Sequence, residues 1–254
     1  MINELSKEEM KKSYSKYFFM ELSNTDEKVI KLLDAGAMNI QNVILLEDRE
    51  KILLCNNSDE NIGYCVLEDG SAYVSTVTKM EGITVEMFDW WFAWHGLEPL
   101  RYKIWDREDH FDVKTTKREQ LLDINLSDKE KIWGVTHTVV EDTGCGVETI
   151  KINFLSPNEF FKNGIEDSKV ESVVWGNGSS AVMCHTIHKI PNGIELSSHF
   201  WLGYNLINNE VVRIIPDFVK IPLEAPKGLA YHSVKEYGNL AKILPSIYKE
   251  ESGK

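Results

Sequence analysis

The sequence has little positive charge: 28 Lys and Arg stand against 40 Asp and Glu, a net charge of −12 at pH 7. Such a field repels phosphate backbones and anionic lipid surfaces, so no nucleic acid and no membrane is expected as a partner. No stretch approaches the ~18 consecutive apolar residues of a membrane-spanning helix. Met1-Ile2-Asn3-Glu4 and the Lys/Glu-rich run behind them lack the apolar segment of a secretion signal, and the expectation is a cytoplasmic protein. Cysteine is scarce as well. Cys55, Cys65, Cys145 and Cys184 are spaced by 10, 80 and 39 residues, without the CxxC pair of a zinc knuckle or a redox dithiol, and read as reduced core thiols. HExxH, Walker A, GxSxG and GxGxxG are all missing, which removes support for serine-nucleophile, nucleotide and dinucleotide chemistry. Internal repeats and low-complexity tracts are absent too.

What is present is ordinary globular material. Of 254 residues, 43% are hydrophobic and 27% charged, enough for a core that needs no disulfide scaffold, in one large domain or a small one plus a medium one. Ser6 and Glu9 have capping-box spacing ahead of a polar run to Tyr17 that predicts a surface helix. Thr25 or Asp26 can cap a second helix, with Val29, Ile30, Leu32 and Leu33 on its apolar side and Gly36 as its stop. Short β-like runs follow at Val43 to Leu46, Ile52 to Cys55, Gly63 to Leu67 and Ala72 to Val77, the last two joined by a turn at Asp69-Gly70. A third helix fits Thr84 to His95, ended by Gly96. Phe88, Trp90, Trp91, Phe92 and Trp94 lie within seven residues of it, so both of its sides should be covered.

Beyond Pro99 strand-like pieces recur: Tyr102 to Trp105, Lys131 to Glu141, Glu148 to Phe154, Glu171 to Val174, Ser180 to Ile190, Gly193 to Leu202 and Glu210 to Ile215. Pro191-Asn192-Gly193 reads as a hairpin, and Trp175-Gly176-Asn177-Gly178 as a tight turn rather than a phosphate loop. Gly228 to Glu250 is the longest helical pattern. At 100° per residue Leu229, His232, Glu236, Leu240, Ile243 and Ile247 share one stripe roughly 80° wide. Many antiparallel strands before one long C-terminal helix predict an α+β fold, a curved sheet gripping that helix with a ligand cavity between them.

His232 and Glu236, spaced i, i+4, set an imidazole beside a carboxylate, close enough to bind one cation together. Spacing alone is met more often by a solvated ion pair than by a metal pair. Their place on the apolar stripe argues against that, because a lone buried carboxylate costs several kcal/mol. Upstream candidates are His110, in competition with His137, and Glu141, in competition with Glu108 and Asp142. His137, Val139 and Glu141 share one strand face.

The block Trp90-Trp91-Phe92-Ala93-Trp94-His95, then Arg101-Tyr102-Lys103-Ile104-Trp105, Asp109-His110, Phe200-Trp201-Leu202-Gly203 and His232-x-x-x-Glu236 resembles the diacetylphloroglucinol hydrolase and phloretin hydrolase family. The likeness covers about residues 75 to 254. It implies a helix-grip, Bet v1-like catalytic domain over 79–254, and a small N-terminal α/β extension over 1–78 that could serve dimerisation, so a homodimer is expected. It also implies one zinc ion held by His110, Glu141, His232 and Glu236. Tyr102 would meet a phenolic hydroxyl of the substrate and Tyr204 a second one. His185, with His188 three residues on as its alternative, would stand near the acyl group. In catalysis His185, with water as the other candidate, would protonate the ring carbon, and Tyr102 would hydrogen-bond the developing oxyanion. Val113 replaces an amide expected three residues after His110, which bears on the ring substitution accepted. The implied activity is hydrolysis of the carbon–carbon bond between an acyl group and a polyhydroxylated ring, in a small phenolic ketone. The competing readings are a non-catalytic helix-grip carrier of aromatic or lipid-like molecules, and a metal enzyme acting on another activated carbonyl such as a β-diketone.

Overall fold

The computed structural model describes residues 4–54, 59–166 and 168–253. Ser6 and Glu9 form the reciprocal cap their spacing predicts: the Glu9 carboxylate accepts from the Ser6 N–H at 2.8 Å and Ser6 Oγ from the Glu9 N–H at 3.2 Å. The surface helix expected behind them is instead two 3₁₀ segments, Glu9–Lys11 and Ser13–Phe19, the second burying Tyr14, Tyr17 and Phe18. Helix α1 (Glu27–Asp34) is capped by Asp26 and followed by Gly36 at φ +104°. The strands expected at Val43 to Leu46 and Ile52 to Cys55 do not form among the described residues, and Cys55 lies outside them. The chain there makes 3₁₀ turns at Ile40–Asn42 and Leu46–Leu54, with Leu46, Arg49 and Ile52 buried. A spacing of three is one 3₁₀ turn, so these three side chains face the same way. Arg49 is held there by donating to the carbonyls of Phe160 at 2.6 Å and Leu46 at 3.1 Å.

Strands β1 (Gly63–Val66) and β2 (Ala72–Glu81) form the expected hairpin, with Gly70 at φ +88° in its turn. Thr84 caps α2 (Val85–His95) by accepting from the Met87 N–H at 3.3 Å, and the five aromatic residues of α2 are all buried. Pro99, whose φ is already helical, starts α3 (Pro99–Lys103) where a strand was expected from Tyr102. After β3 (His110–Thr115) come two short helices, α4 (Arg118–Leu121) and α5 (Asp128–Lys131). A Ser127/Glu130 capping box makes α5 helical, so the strand expected from Lys131 begins later, as β4 (Thr136–Asp142). The remaining strands are β5 (Val147–Leu155), β6 (Ser172–Asn177), β7 (Ala181–Ile190), β8 (Gly193–Leu202) and a separate hairpin, β9 (Tyr204–Ile207) with β10 (Glu210–Arg213). The last element is the long helix α6 (Glu224–Glu251).

Eight strands pair antiparallel in the order β1-β2-β8-β7-β6-β5-β4-β3. The architecture is therefore α+β, a large curved antiparallel sheet with a long C-terminal helix. The strands assigned from sequence to an N-terminal extension are part of this sheet. Strand β2 runs unbroken across the 78/79 division, pairing with β8 from Ala72 to Glu81.

Leu240, Ile243 and Ile247 of α6 pack with Trp91 and Phe92 of α2 and with Ile187 and Leu196 of the sheet. The opposite sheet face carries Trp175, Cys184 and Trp201, covered by Leu46, Ile52 and Phe160. Each such side chain stabilises the fold by about 1.5–3 kcal/mol when fully buried. Cys65 and Cys184 are core thiols as expected, but Cys145 is exposed. It sits between Gly144 and Gly146, both at positive φ, in a β4–β5 turn that points away from either core. No helix among the described residues is long and apolar enough to cross a membrane.

Asp89 of α2 is buried, accepts from the Ser172 hydroxyl at 2.6 Å, and is pushed up to about 6, chiefly by burial. A carboxyl whose folded pKa lies above its unfolded one weakens the fold as pH rises between the two, here from about 4 to about 6, and the penalty persists above that. Asp89→Asn keeps an acceptor for Ser172 and removes the charge. The variant is expected to gain about 2 kcal/mol at pH 8 and nothing near pH 4, read from denaturant melts at both pH values. Equal stability of the two proteins at pH 8 would contradict this account.

Candidate metal centre

Two parts of the chain build the site. His110 opens β3 directly opposite Glu141 in β4. The alternation of β4 buries His137, Val139 and Glu141 on one side, as the sequence pattern requires. From α6, His232 and Glu236 project one helical turn apart, both buried. The four polar ends meet. His110 Nε2 lies 3.4 Å from His232 Nε2, 3.5 Å from the Glu236 carboxylate and 3.7 Å from that of Glu141, and His232 Nε2 lies 3.9 Å from Glu236.

The outer nitrogens explain why the inner ones face each other. His110 Nδ1 donates to the Tyr102 carbonyl at 3.2 Å, and its ring stacks flat on the Tyr102 phenol, centroids 4.1 Å apart. His232 Nδ1 donates to Asp109 at 3.4 Å. With both Nδ1 atoms committed as donors, the two Nε2 atoms face the same space, and what lies between them is either a proton on His232 or a cation that displaces it. Glu141 accepts from the Tyr102 hydroxyl, and Trp105 Nε1 donates to the Glu236 carbonyl at 3.0 Å, fixing the turn of α6 that carries the pair.

The electrostatics agree. Burial pushes Glu141 up and Glu236 well above the ordinary carboxylate range, and drives His110 well below the usual histidine value. Burial also penalises the charge on His232, but the Asp109 hydrogen bond and the Glu236 and Glu141 carboxylates outweigh it and raise His232 to about 9. Two carboxylates and two imidazoles that strain against their surroundings in this way form a donor set suited to a divalent transition metal, and the His110–Glu141–His232 group can hold one. A second grouping, Asp106, Asp109 and His232, is geometrically close enough as well. Lys235 already pairs with both of those aspartates, so the cation there is supplied by the protein.

The competing sequence candidates fall elsewhere. Glu108 is exposed and pairs with Lys235, while Asp142 accepts from the Gly144 and Gly146 N–H groups in the β4–β5 turn. His137 lines the same cavity but makes no contact with the four ligating groups, and neither of its ring nitrogens has a partner. His185 lines the cavity and His188 does not. Three residues along one strand lie on opposite sheet faces, so only one of the two could. Tyr204 is a correction. It follows Gly203, whose φ of +92° turns the chain out of β8 into the separate β9–β10 hairpin, and its hydroxyl binds Asp69 rather than facing the cavity. Val113 belongs to the core and not to the cavity wall. Sequence reading missed Tyr237, which lines the cavity beside Glu236, and gave no role to Asp109 although it quoted it beside His110. Tyr237 was detectable, since it is only 100° around the helix from Glu236. The aromatic wall is made by Phe92, Trp105, Phe154 and Phe200, and the space they enclose is about 70 Å³.

The family described as the DAPG hydrolase PhiG domain matches residues 44–249. The chain belongs to that family. It is 39% identical to the phloretin hydrolase of Eubacterium ramulus, over 96% of this chain and 92% of the relative. It is 27% identical to a 2,4-diacetylphloroglucinol hydrolase of Pseudomonas protegens, over 94% and 84% of the two chains. The match begins at residue 44, so it includes β1 and β2 together with the residues that surround the four ligating groups.

Because Asp109 holds the His232 ring by Nδ1, Asp109→Asn is expected to weaken divalent-metal binding by about 10- to 100-fold while leaving the fold intact. Competition with a chelator of known affinity measures this. Unchanged affinity would mean that the helix alone orients His232.

Proposed function

We propose that the protein is a zinc-dependent hydrolase that cleaves the carbon–carbon bond between an acyl group and a polyhydroxylated aromatic ring, giving a carboxylic acid and a phenol, on a helix-grip, Bet v1-like fold. The observation that carries this reading is the pair of imidazole Nε2 atoms 3.4 Å apart, flanked by two buried carboxyl groups, at the wall of an aromatic cavity. The similarity to phloretin and diacetylphloroglucinol hydrolases supports the substrate class. A carrier has no use for four converging nitrogen and carboxylate groups.

Zinc held by His110, Glu141, His232 and Glu236 would supply an activated water and a Lewis acid for the acyl oxygen. The remaining chemistry belongs to the chain. Breaking an aryl ketone leaves an electron pair on a ring carbon, which is tolerable only when ring hydroxyls ortho and para to the acyl group share the charge. Tyr102 donates its single O–H to Glu141, and with the Glu141 carboxylate committed to zinc that O–H would turn to a ring oxygen as the charge develops. Phe92, Trp105, Phe154 and Phe200 supply apolar walls that hold a flat ring and exclude bulk water.

Purified protein is expected to contain stoichiometric zinc and to convert acylphloroglucinols to acid and phloroglucinol, leaving unsubstituted acetophenone untouched. Tyr102→Phe should lower kcat by about 10²-fold or more, with a smaller change in KM. Equal hydrolysis of the two ketones, or protein that hydrolyses acylphloroglucinols with no bound metal, would overturn the proposal. Phenyl-ester hydrolysis without ketone cleavage would point to a metallo-esterase, since an ester needs the water but no stabilised carbon leaving group.

A further inference from the structure

When the aryl–acyl bond breaks, a proton must reach the ring carbon, and one chain of buried polar groups leads into the cavity. His185 of β7 lies directly opposite Ser198 of β8. Its Nδ1 is 2.8 Å from Ser198 Oγ and its Nε2 is 3.1 Å from the Tyr237 hydroxyl of α6. Ser198, His185 and Tyr237 are each no more than 2% exposed, and His185 and Tyr237 line the cavity together with Glu141 and Glu236. Both ring nitrogens of His185 are thus engaged, so the ring does not face the cavity with an open valence.

The direction of this chain can be deduced. Burial pushes His185 down to about 3, so at neutral pH the ring carries a single N–H. If that hydrogen sits on Nδ1, Ser198 accepts it, and the serine's own hydrogen, buried within the sheet layer, has no second partner among the described residues. If it sits on Nε2, Ser198 donates to Nδ1, Nε2–H donates to the Tyr237 oxygen, and the Tyr237 hydrogen is the one left over. Burying a donor without a partner is costly, whereas a donor aimed at a cavity is satisfied by whatever enters it. The second arrangement wins, because it moves the surplus donor from the sheet to the cavity.

We propose that Ser198 and His185 are positioning residues that turn the Tyr237 O–H toward the substrate, and that Tyr237, rather than His185, is the catalytic residue that protonates the departing ring carbon. This rests on the acylphenol hydrolase reading above. In the step, the water oxygen bonds to the acyl carbon and the aryl–acyl bond breaks with its electron pair on the ring carbon. A C–H bond forms there as the Tyr237 O–H bond breaks. The phenolate is held by His185 Nε2–H and regains a proton from those released by the attacking water, so one water is consumed and no other reactant is needed.

The test begins with nitrogen NMR of histidine-labelled protein, His185 being assigned by its loss in His185→Gln. The wild type should show the Nε2–H tautomer with Nδ1 accepting from Ser198, and Ser198→Ala should keep that tautomer with the Nδ1 resonance shifted to that of an unbonded nitrogen. In turnover of an acylphloroglucinol, Tyr237→Phe should lower kcat per bound metal by about 10²-fold or more with KM within a few-fold. Ser198→Ala should lower kcat about tenfold, and Ser198→Thr, which restores the hydroxyl, should recover it; a purely structural role would move melting temperature and KM instead. An Nδ1–H tautomer in the wild type, or a Tyr237→Phe enzyme with full kcat, overturns the proposal. A wild-type protein that cleaves no acylphloroglucinol overturns the reading beneath it, while the tautomer result still decides the direction of the chain.

Discussion

Two carboxylates and two imidazoles buried against one another are the constraint around which the rest of this structure is organised. Each would be expensive to remove from water alone, and together they leave Glu141, Glu236 and His110 far from their ordinary protonation behaviour. The surrounding contacts hold this arrangement in place. The Tyr102 carbonyl and Asp109 fix the outer nitrogen of each histidine, the Tyr102 hydroxyl binds Glu141, and Trp105 ties the helix backbone at Glu236 to the loop before β3. A stretch of nine residues, 102 to 110, therefore supplies one ligating group and most of the support for the other three.

That stretch can serve both sides of the cavity because of the sheet order. With β3 at one edge beside β4, and α6 lying across the sheet, the turn leading into β3 is brought against the middle of the helix. The aromatic helix α2 seals the space from another side, and its crowding has the same cause. Trp91, Phe92 and His95 all face inward, with Phe92 and His95 reaching the cavity wall and Trp91 stacked on His95. The other face of the sheet is closed by 3₁₀ turns and the β9–β10 hairpin, while on the cavity face His137 is buried with neither ring nitrogen paired.

The cavity also separates two kinds of polar group. One comprises His110, Glu141, His232 and Glu236, whose nitrogens and carboxylates suit a metal. The other is the Ser198, His185 and Tyr237 chain, which is neutral and directional. On the proposed function the first would serve the acyl carbon and the second the ring carbon of an aryl ketone.

Much of this was written in local pattern. The i, i+4 spacing of His232 and Glu236 on an apolar stripe, the shared strand face of His137, Val139 and Glu141, the caps at Ser6, Asp26 and Thr84, and the hairpin at Asp69-Gly70 depend on neighbours in sequence, and all appear in the structure. Strand parity alone separates His185 from His188. Other features depend on what meets them from far along the chain. Leu46 and Ile52 are apolar enough for strands, yet Phe160 and the sheet face behind it accept a 3₁₀ line of side chains instead. Tyr204 lost its place at the cavity to one glycine at positive φ, and Cys145, expected in the core, is exposed in a turn between two such glycines. Choosing His110 over His137 and Glu141 over Asp142 required the register of β3 against β4 and the reach of α6. Periodicity assigns a side chain to a face, but only the packing of two elements sets the few ångströms that separate a ligand from a bystander.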